Sequence, residues 1–182
     1  IVGYGTERIE DEVKEVFPNE KILRMDLDTT RNKNSYDRII NEFSSREANI
    51  LVGTQMVTKG LDFDGVSVVG ILNADSIISF PDFRSSERAF NMLEQVSGRA
   101  GRAHKQGLVV VQTYSPTHPI IKFVQEHDFK SFYDYELEER RTFKYPPFTR
   151  IVNVYVKHRN EDTLIEVSVR YSNMLREVFG NR

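Results

Sequence analysis

Gln95, Arg99 and Arg102 stand at spacing i, i+4 and i+7 in the run Gln95-Val96-Ser97-Gly98-Arg99-Ala100-Gly101-Arg102. On a helix, three side chains at that spacing share one face. One amide and two guanidiniums then point the same way. Each guanidinium offers several N–H donors in a rigid fork, so the face suits an oxygen-rich anion such as a phosphoryl group. Gly98 and Gly101 fall inside the same expected helix, where each costs about 1 kcal/mol relative to alanine. That cost is met where another backbone or a ligand comes close. A solvated basic helix end, favoured by the helix dipole, is the plainer alternative.

A second candidate run is Gly53-Thr54-Gln55-Met56-Val57-Thr58-Lys59-Gly60-Leu61-Asp62. It follows the apolar run Ile50-Leu51-Val52, which is short enough for a buried parallel strand. Its glycines, hydroxyls and single lysine could hold a phosphate through backbone N–H and side-chain O–H groups; a polar turn between strand and helix is the alternative. It is not a P-loop, because Gly-x-x-x-x-Gly-Lys-Ser/Thr occurs nowhere in the chain. The chain thus has arginines suited to an anion but no nucleotide cradle of its own. Positive charge supplied across a cleft to a phosphoryl group held elsewhere, an arginine finger, has that logic.

The elements that must position these runs alternate. Thr6 to Phe17 carries Ile9, Val13, Val16 and Phe17 at helical spacing, with Thr6 as N-cap and Pro18 as a stop. Ile22 to Asp26 reads as a strand. Ser35 is placed to cap a helix running through Phe43. Val66 to Leu72 and Leu108 to Gln112 read as buried strands. Between them, Ser85 or Ser86 caps a helix whose buried face is Ala89, Phe90, Leu93 and Val96. Strand and helix in alternation argue an α/β domain, a parallel sheet with helices on both faces, whose functional loops lie at the carboxyl ends of the strands.

From Pro119 the character changes. A short helix and a longer charged one, Phe129 to Arg141 capped by Asp128, lead to Tyr145-Pro146-Pro147-Phe148. Two prolines there fix an extended path, and a boundary is expected between a first domain, 1–143, and a second unit, 144–182. In the second unit, Arg150 to Val156 alternates like an antiparallel strand, and Asn160 caps a helix carrying Leu164, Val167, Tyr171, Met174, Leu175 and Val178. One strand and one helix do not close a core, so a truncated α+β unit is expected, with homodimerisation through its exposed apolar face.

Composition narrows the chemistry. The chain has 182 residues, a formal net charge of −2 and no cysteine. Disulfides, thiolate catalysis and a zinc ribbon are excluded within it. Its four histidines lack metal-ligand spacing, and no metal site is expected. With no global positive charge, contact with nucleic acid has to be local. No apolar run approaches membrane-spanning length, so no membrane partner is expected.

The run Gly53 to Phe63 resembles helicase motif V, and Gln95 to Arg102 resembles motif VI of superfamily 2; together they mark a second RecA-like lobe. Further segments resemble the primosomal protein N′ (PriA) family of bacterial replication-restart helicases. They are Gly5-Thr6-Glu7-Arg8, Phe17-Pro18, Asp26-Leu27-Asp28-Thr29-Thr30, Pro81 to Arg88, Gln112-Thr113-Tyr114 and Tyr145-Pro146-Pro147-Phe148. The resemblance implies an ATP-dependent 3′→5′ DNA helicase acting at stalled forks in replication restart and primosome assembly. Arg99 and Arg102 would then reach the γ-phosphate of ATP, with Gln95 near the same site. Gly60 and Asp62 would border the nucleotide, and Thr54 would touch the DNA backbone. ATP and Mg would be bound mainly by a first lobe, which, like the family's zinc-binding insertion and the opening strand of lobe two, is absent from these residues. The chain then reads as a fragment, inactive alone. The implied partners are forked and single-stranded DNA, primosome and restart proteins and single-stranded DNA-binding protein, in the bacterial cytoplasm. For Asp82, Arg84, Glu87 and Arg88 a salt link between loop and helix is the plain expectation. Two rival readings are a non-catalytic scaffold for assembling replication proteins and another superfamily 2 DNA or RNA translocase.

Overall fold

A computed structural model describes residues 5–31, 33–54, 63, 65–98, 100 and 107–180. They divide into two compact units, Ile1–Glu139 and Arg140–Arg182. In the first, helix α1 (Thr6–Val16), strand β1 (Ile22–Met25), helix α2 (Lys33–Ser44) and strand β2 (Ile50–Gly53) come first. Strand β3 (Val68–Ile71), the single turn α3 (Asp75–Ile78), helix α4 (Ser85–Ser97) and strand β4 (Leu108–Val111) come next. Helices α5 (Pro119–Glu126) and α6 (Phe129–Thr142) complete the order, α6 running across the division.

Among the described residues all strand pairing is parallel, in two ladders. β1 pairs with β2 in the register Met25↔Gly53, and β3 pairs with β4 in the register Ile71↔Val111. Each ladder joins strands separated in sequence by helix, the crossover that parallel pairing requires. The architecture is the expected α/β class, of RecA-like type, with its strands in two pairs among the described residues.

The larger apolar cluster covers one face of the second ladder. Ala89, Phe90, Leu93 and Val96 of α4 pack with Ile71, with Ile120, Ile121 and Val124 of α5, and with Phe132 of α6. Phe90 and Phe132 stack with ring centroids 4.0 Å apart. Burial of side chains of this size contributes about 1.5–3 kcal/mol each, so α4 is held rigidly and its orientation about its axis is fixed. The opposite face of that ladder stays open: Val68, Leu108 and Val110 are exposed. β3 and β4 are therefore half-buried rather than the fully buried runs their composition suggested. A smaller cluster of Met25, Ile39 and Phe63 packs under the first ladder, with Phe63 edge-on to Phe43.

Two helix starts depart from the expected pattern. Thr6 does not cap α1; Gly5 occupies the N-cap, and the Thr6 hydroxyl is used elsewhere. α2 begins at Lys33, so Ser35 lies inside it. The Asp128 carboxylate does receive the Ser131 N–H at 2.9 Å, as a cap of α6 does.

The second unit contains helix α7 (Glu161–Phe179), capped by Asn160 Oδ1, which accepts from Thr163 N at 2.9 Å. Between α6 and that helix the chain turns locally: the Tyr145 N–H donates to Arg140 O at 2.7 Å and Arg141 lies over the Phe148 ring. The expected strand from Arg150 to Val156 is not formed; those residues are exposed and carry no ladder. A strand is stabilised by its pairing partner, and none is present among the described residues.

Candidate functional site

The β1–β2 ladder ends in two adjacent loops, and one carboxylate organises the first. Asp26 follows β1 directly and is only 8% exposed. Its Oδ1 accepts the N–H groups of Asp28 at 3.0 Å and Thr29 at 2.8 Å, together with the Thr29 hydroxyl at 3.1 Å. Its Oδ2 accepts the Thr6 hydroxyl at 2.5 Å and pairs with Arg24 Nε at 3.1 Å. The Asp26 backbone takes part as well: its N–H donates to Thr29 Oγ1, and its carbonyl accepts the Thr30 N–H and hydroxyl. Arg24 also pairs with Glu10 of α1 at 3.4 Å. Burial pushes the Asp26 carboxyl up, but the Thr6 hydroxyl, Thr29 and the Arg24 guanidinium outweigh it and hold the pKa at about 2. The result is a knot, charged at neutral pH, joining the start of α1, the end of β1 and the loop after it.

Thr54 lies beside this knot. It is the first residue beyond β2, it is exposed, and its N–H donates to Met25 O at 3.3 Å. The strand-end position expected for Thr54 is therefore met, and the neighbouring strand end locks it in place. Gly60 and Asp62, further along the same run, lie outside the described residues, as do Arg99 and Arg102.

Gln95 lies on the last turn of α4, exposed, while Leu93 and Val96 on the same turn are buried. Burial of the apolar stripe thus forces Gln95 outward. The helix itself stops earlier than its apolar spacing suggested. Ser97 is its last residue and Gly98 its C-cap, with the Gly98 N–H donating to Glu94 O. A Cβ at Gly98 would meet only Glu94 O at 3.5 Å and Gln95 O at 3.8 Å, ordinary contacts. The close approach expected there is not found among the described residues.

The loop entering α4 carries the expected salt link. Asp82 pairs with Arg88 at 2.9 Å and accepts the Arg84 N–H at 2.9 Å. The Arg84 N–H, with the charges of Arg88 and Arg84, holds the Asp82 carboxyl below its ordinary range. α4 begins at Ser85 with Arg84 as its N-cap and no side-chain cap, so neither Ser85 nor Ser86 caps it as expected.

At the end of the second ladder a different carboxylate acts. Asp75 accepts the Tyr114 N–H at 3.0 Å and the Thr113 hydroxyl at 2.9 Å, while Gln112 Oε1 accepts the Asn73 N–H. The Tyr114 N–H first, then the Thr113 hydroxyl, lower the Asp75 carboxyl. Sequence reasoning did not single out Asp26 or Asp75 as organisers. A local signal existed for Asp26, an Asx turn of the form Asp-x-x-Thr. For Asp75 the partners lie nearly forty residues away and no local signal exists.

Among the described residues no cluster of His, Cys, Asp or Glu could hold a metal ion, and no helix is long and apolar enough to cross a membrane.

Parallel ladders with loops at their carboxyl ends, and a helix that buries its apolar stripe while Gln95 faces outward, are consistent with an α/β domain of the RecA-like class. Residues 1–104 match the helicase conserved C-terminal domain, and the chain belongs to that family. More narrowly, it is similar to the replication restart protein PriA of several bacteria. The chain is 46% identical to the Bacillus subtilis protein over 156 residues, covering 86% of this chain and 19% of that protein. Against the Synechocystis protein it is 42% identical over 159 residues, 87% of this chain and 19% of the relative. The Borreliella burgdorferi protein is 39% identical over 160 residues, 88% of this chain and 24% of the relative. The chain thus spans about a fifth to a quarter of the length of these relatives.

Proposed function

We propose that this chain is the second motor lobe of an ATP-dependent DNA helicase that travels 3′→5′ and serves replication restart. The observation that carries this reading is a pairing within one PriA-like chain. Thr54 sits at the end of a parallel strand, and Gln95, facing outward from a buried helix, leads into Arg99 and Arg102. Thr54 contacts the DNA backbone, where phosphate contacts position rather than specify. Gly60 and Asp62 border the nucleotide. Gln95, Arg99 and Arg102 face its terminal phosphate from across the cleft between lobes. Bound ATP with Mg, held mainly by the other lobe, supplies the phosphoryl transfer that the motor uses. The guanidiniums favour the closed arrangement because they meet the phosphate only there, which is the differential contact that a nucleotide-driven closure needs. No zinc is assigned to these residues, which contain no cysteine.

On this reading the isolated chain neither turns over ATP nor unwinds DNA. The whole protein works in the bacterial cytoplasm on forks and single strands, with primosome and restart proteins and single-stranded DNA-binding protein as partners. The test is strand separation by the full-length protein on tailed duplexes. Unwinding that needs ATP and a 3′ single-stranded tail supports the reading. Unwinding from 5′ tails alone contradicts it and leaves another superfamily 2 translocase, and no unwinding at all contradicts it and leaves a scaffold for assembling replication proteins.

A further inference from the structure

We propose that Asp26 is a positioning residue for DNA engagement, acting through Thr54; this rests on the reading that Thr54 contacts the DNA backbone. The geometry is specific. Thr54 is anchored to the first ladder's strand ends through its N–H to Met25 O, and Met25 immediately precedes Asp26. The peptide that carries the Met25 carbonyl is shared with Asp26, so the anchoring of Asp26 sets where that carbonyl lies. Asp26, 8% exposed, collects four hydrogen bonds on its carboxylate, from Thr6, Asp28 and Thr29, and an ion pair from Arg24. So many bonds on one buried carboxylate fix the end of β1 against α1, and through the Met25↔Gly53 register they fix the end of β2. These bonds lie outside the apolar cluster beneath, which packs through Met25, Ile39 and Phe63. The knot instead specifies where the loop after β1 and the residue after β2 lie. A contact that must meet a phosphate within hydrogen-bond reach depends on that placement, since small displacements cost affinity. Asp26 itself, negatively charged and buried, does not touch DNA.

The experiment is DNA-stimulated ATP hydrolysis by the full-length protein, measured against oligothymidylate concentration for Asp26→Ala, Asp26→Asn, Thr6→Val, Thr54→Val and the double variant Asp26→Ala/Thr54→Val. Asp26→Ala is expected to raise the KM for oligothymidylate about tenfold, with kcat at saturating DNA changed less than about twofold. Asp26→Asn keeps an oxygen for the Asp28 and Thr29 N–H groups and restores most of the loss. Thr6→Val cuts one bond of the knot without touching Asp26, and raises KM about threefold. The double variant behaves like the more severe single variant, because the two residues act in one chain of contacts. Multiplicative effects in the double variant, or losses in kcat rather than KM, overturn the proposal. An unchanged KM in both Asp26→Ala and Thr6→Val, with Thr54→Val impaired, overturns it alone. An unchanged KM in Thr54→Val overturns the reading on which it rests.

Discussion

The two strand ladders of the first unit end in the same device, a carboxylate that gathers the N–H groups of a neighbouring loop, but they use it at different depth. At the end of β1, Asp26 is buried and draws its partners from α1, from the strand itself and from the following loop. At the end of β3, Asp75 is half-exposed, opens a single helical turn and ties down the loop after β4 through Thr113 and Tyr114. The buried carboxylate has lost water and must be fully compensated by protein donors. The exposed one keeps water as an alternative partner, so each of its bonds is worth less. The difference teaches where rigidity is concentrated: beside Thr54, at the first ladder, rather than beside the widely exposed Tyr114.

That contrast can be broken by removing each carboxylate in turn and following amide hydrogen exchange in the full-length protein. Asp26→Ala removes the acceptor of the part-buried Asp28 and Thr29 N–H groups and one of the carboxylate partners of Arg24, a loss of about 2 kcal/mol of local stability. Exchange of the segment containing Asp28 and Thr29 is expected to accelerate by about thirtyfold or more. Asp75→Ala removes bonds that water can replace. A loss of about 1 kcal/mol, or about fivefold faster exchange at Tyr114, is expected. Equal acceleration at the two sites would erase the distinction in depth.

Acid sharpens the same comparison. The folded-state pKa of Asp26, about 2, lies below its ordinary value of 3.8. A depressed carboxylate contributes stability that is complete above the ordinary pKa and is lost as pH falls through the folded one. The end of β1 should therefore loosen between about pH 4 and pH 2, by at most about 2 kcal/mol. Carboxyl carbon shifts of Asp26 titrating near 2 would agree with this; a midpoint near 4 would show that the knot does not hold. Asp75, lowered chiefly by the Tyr114 N–H, moves in the same direction with less at stake.

Much of the first unit was legible because its signals are local. The spacing of Ala89, Phe90, Leu93 and Val96 gave both the helix and its buried face, and Asn160 and Asp128 act as the caps their residue types suggested. The positions of Thr54 and Gln95 were legible for the same reason: one follows an apolar run and the other continues a helical stripe. The illegible features depend on partners distant in sequence. Thr6 looks like a cap, yet its hydroxyl goes to Asp26, twenty residues on. The runs at β3 and β4 look fully buried, yet only one face is covered, since apolar composition does not say how many layers pack on a ladder. The alternation from Arg150 to Val156 is a genuine strand pattern without a partner strand among the described residues. Helix α4 has Ser97 as its last residue, a boundary that apolar spacing does not register.

The central claim is that Gln95, Arg99 and Arg102 complete an ATP site from across a cleft, and Arg102→Ala in the full-length protein tests it most directly. DNA-stimulated ATP hydrolysis should fall by about three orders of magnitude or more, as removal of an arginine finger does, while single-stranded DNA binding stays within about twofold of the unaltered protein. Hydrolysis that survives the substitution would contradict the account, and Arg102 would then be an arginine on a solvated helix end.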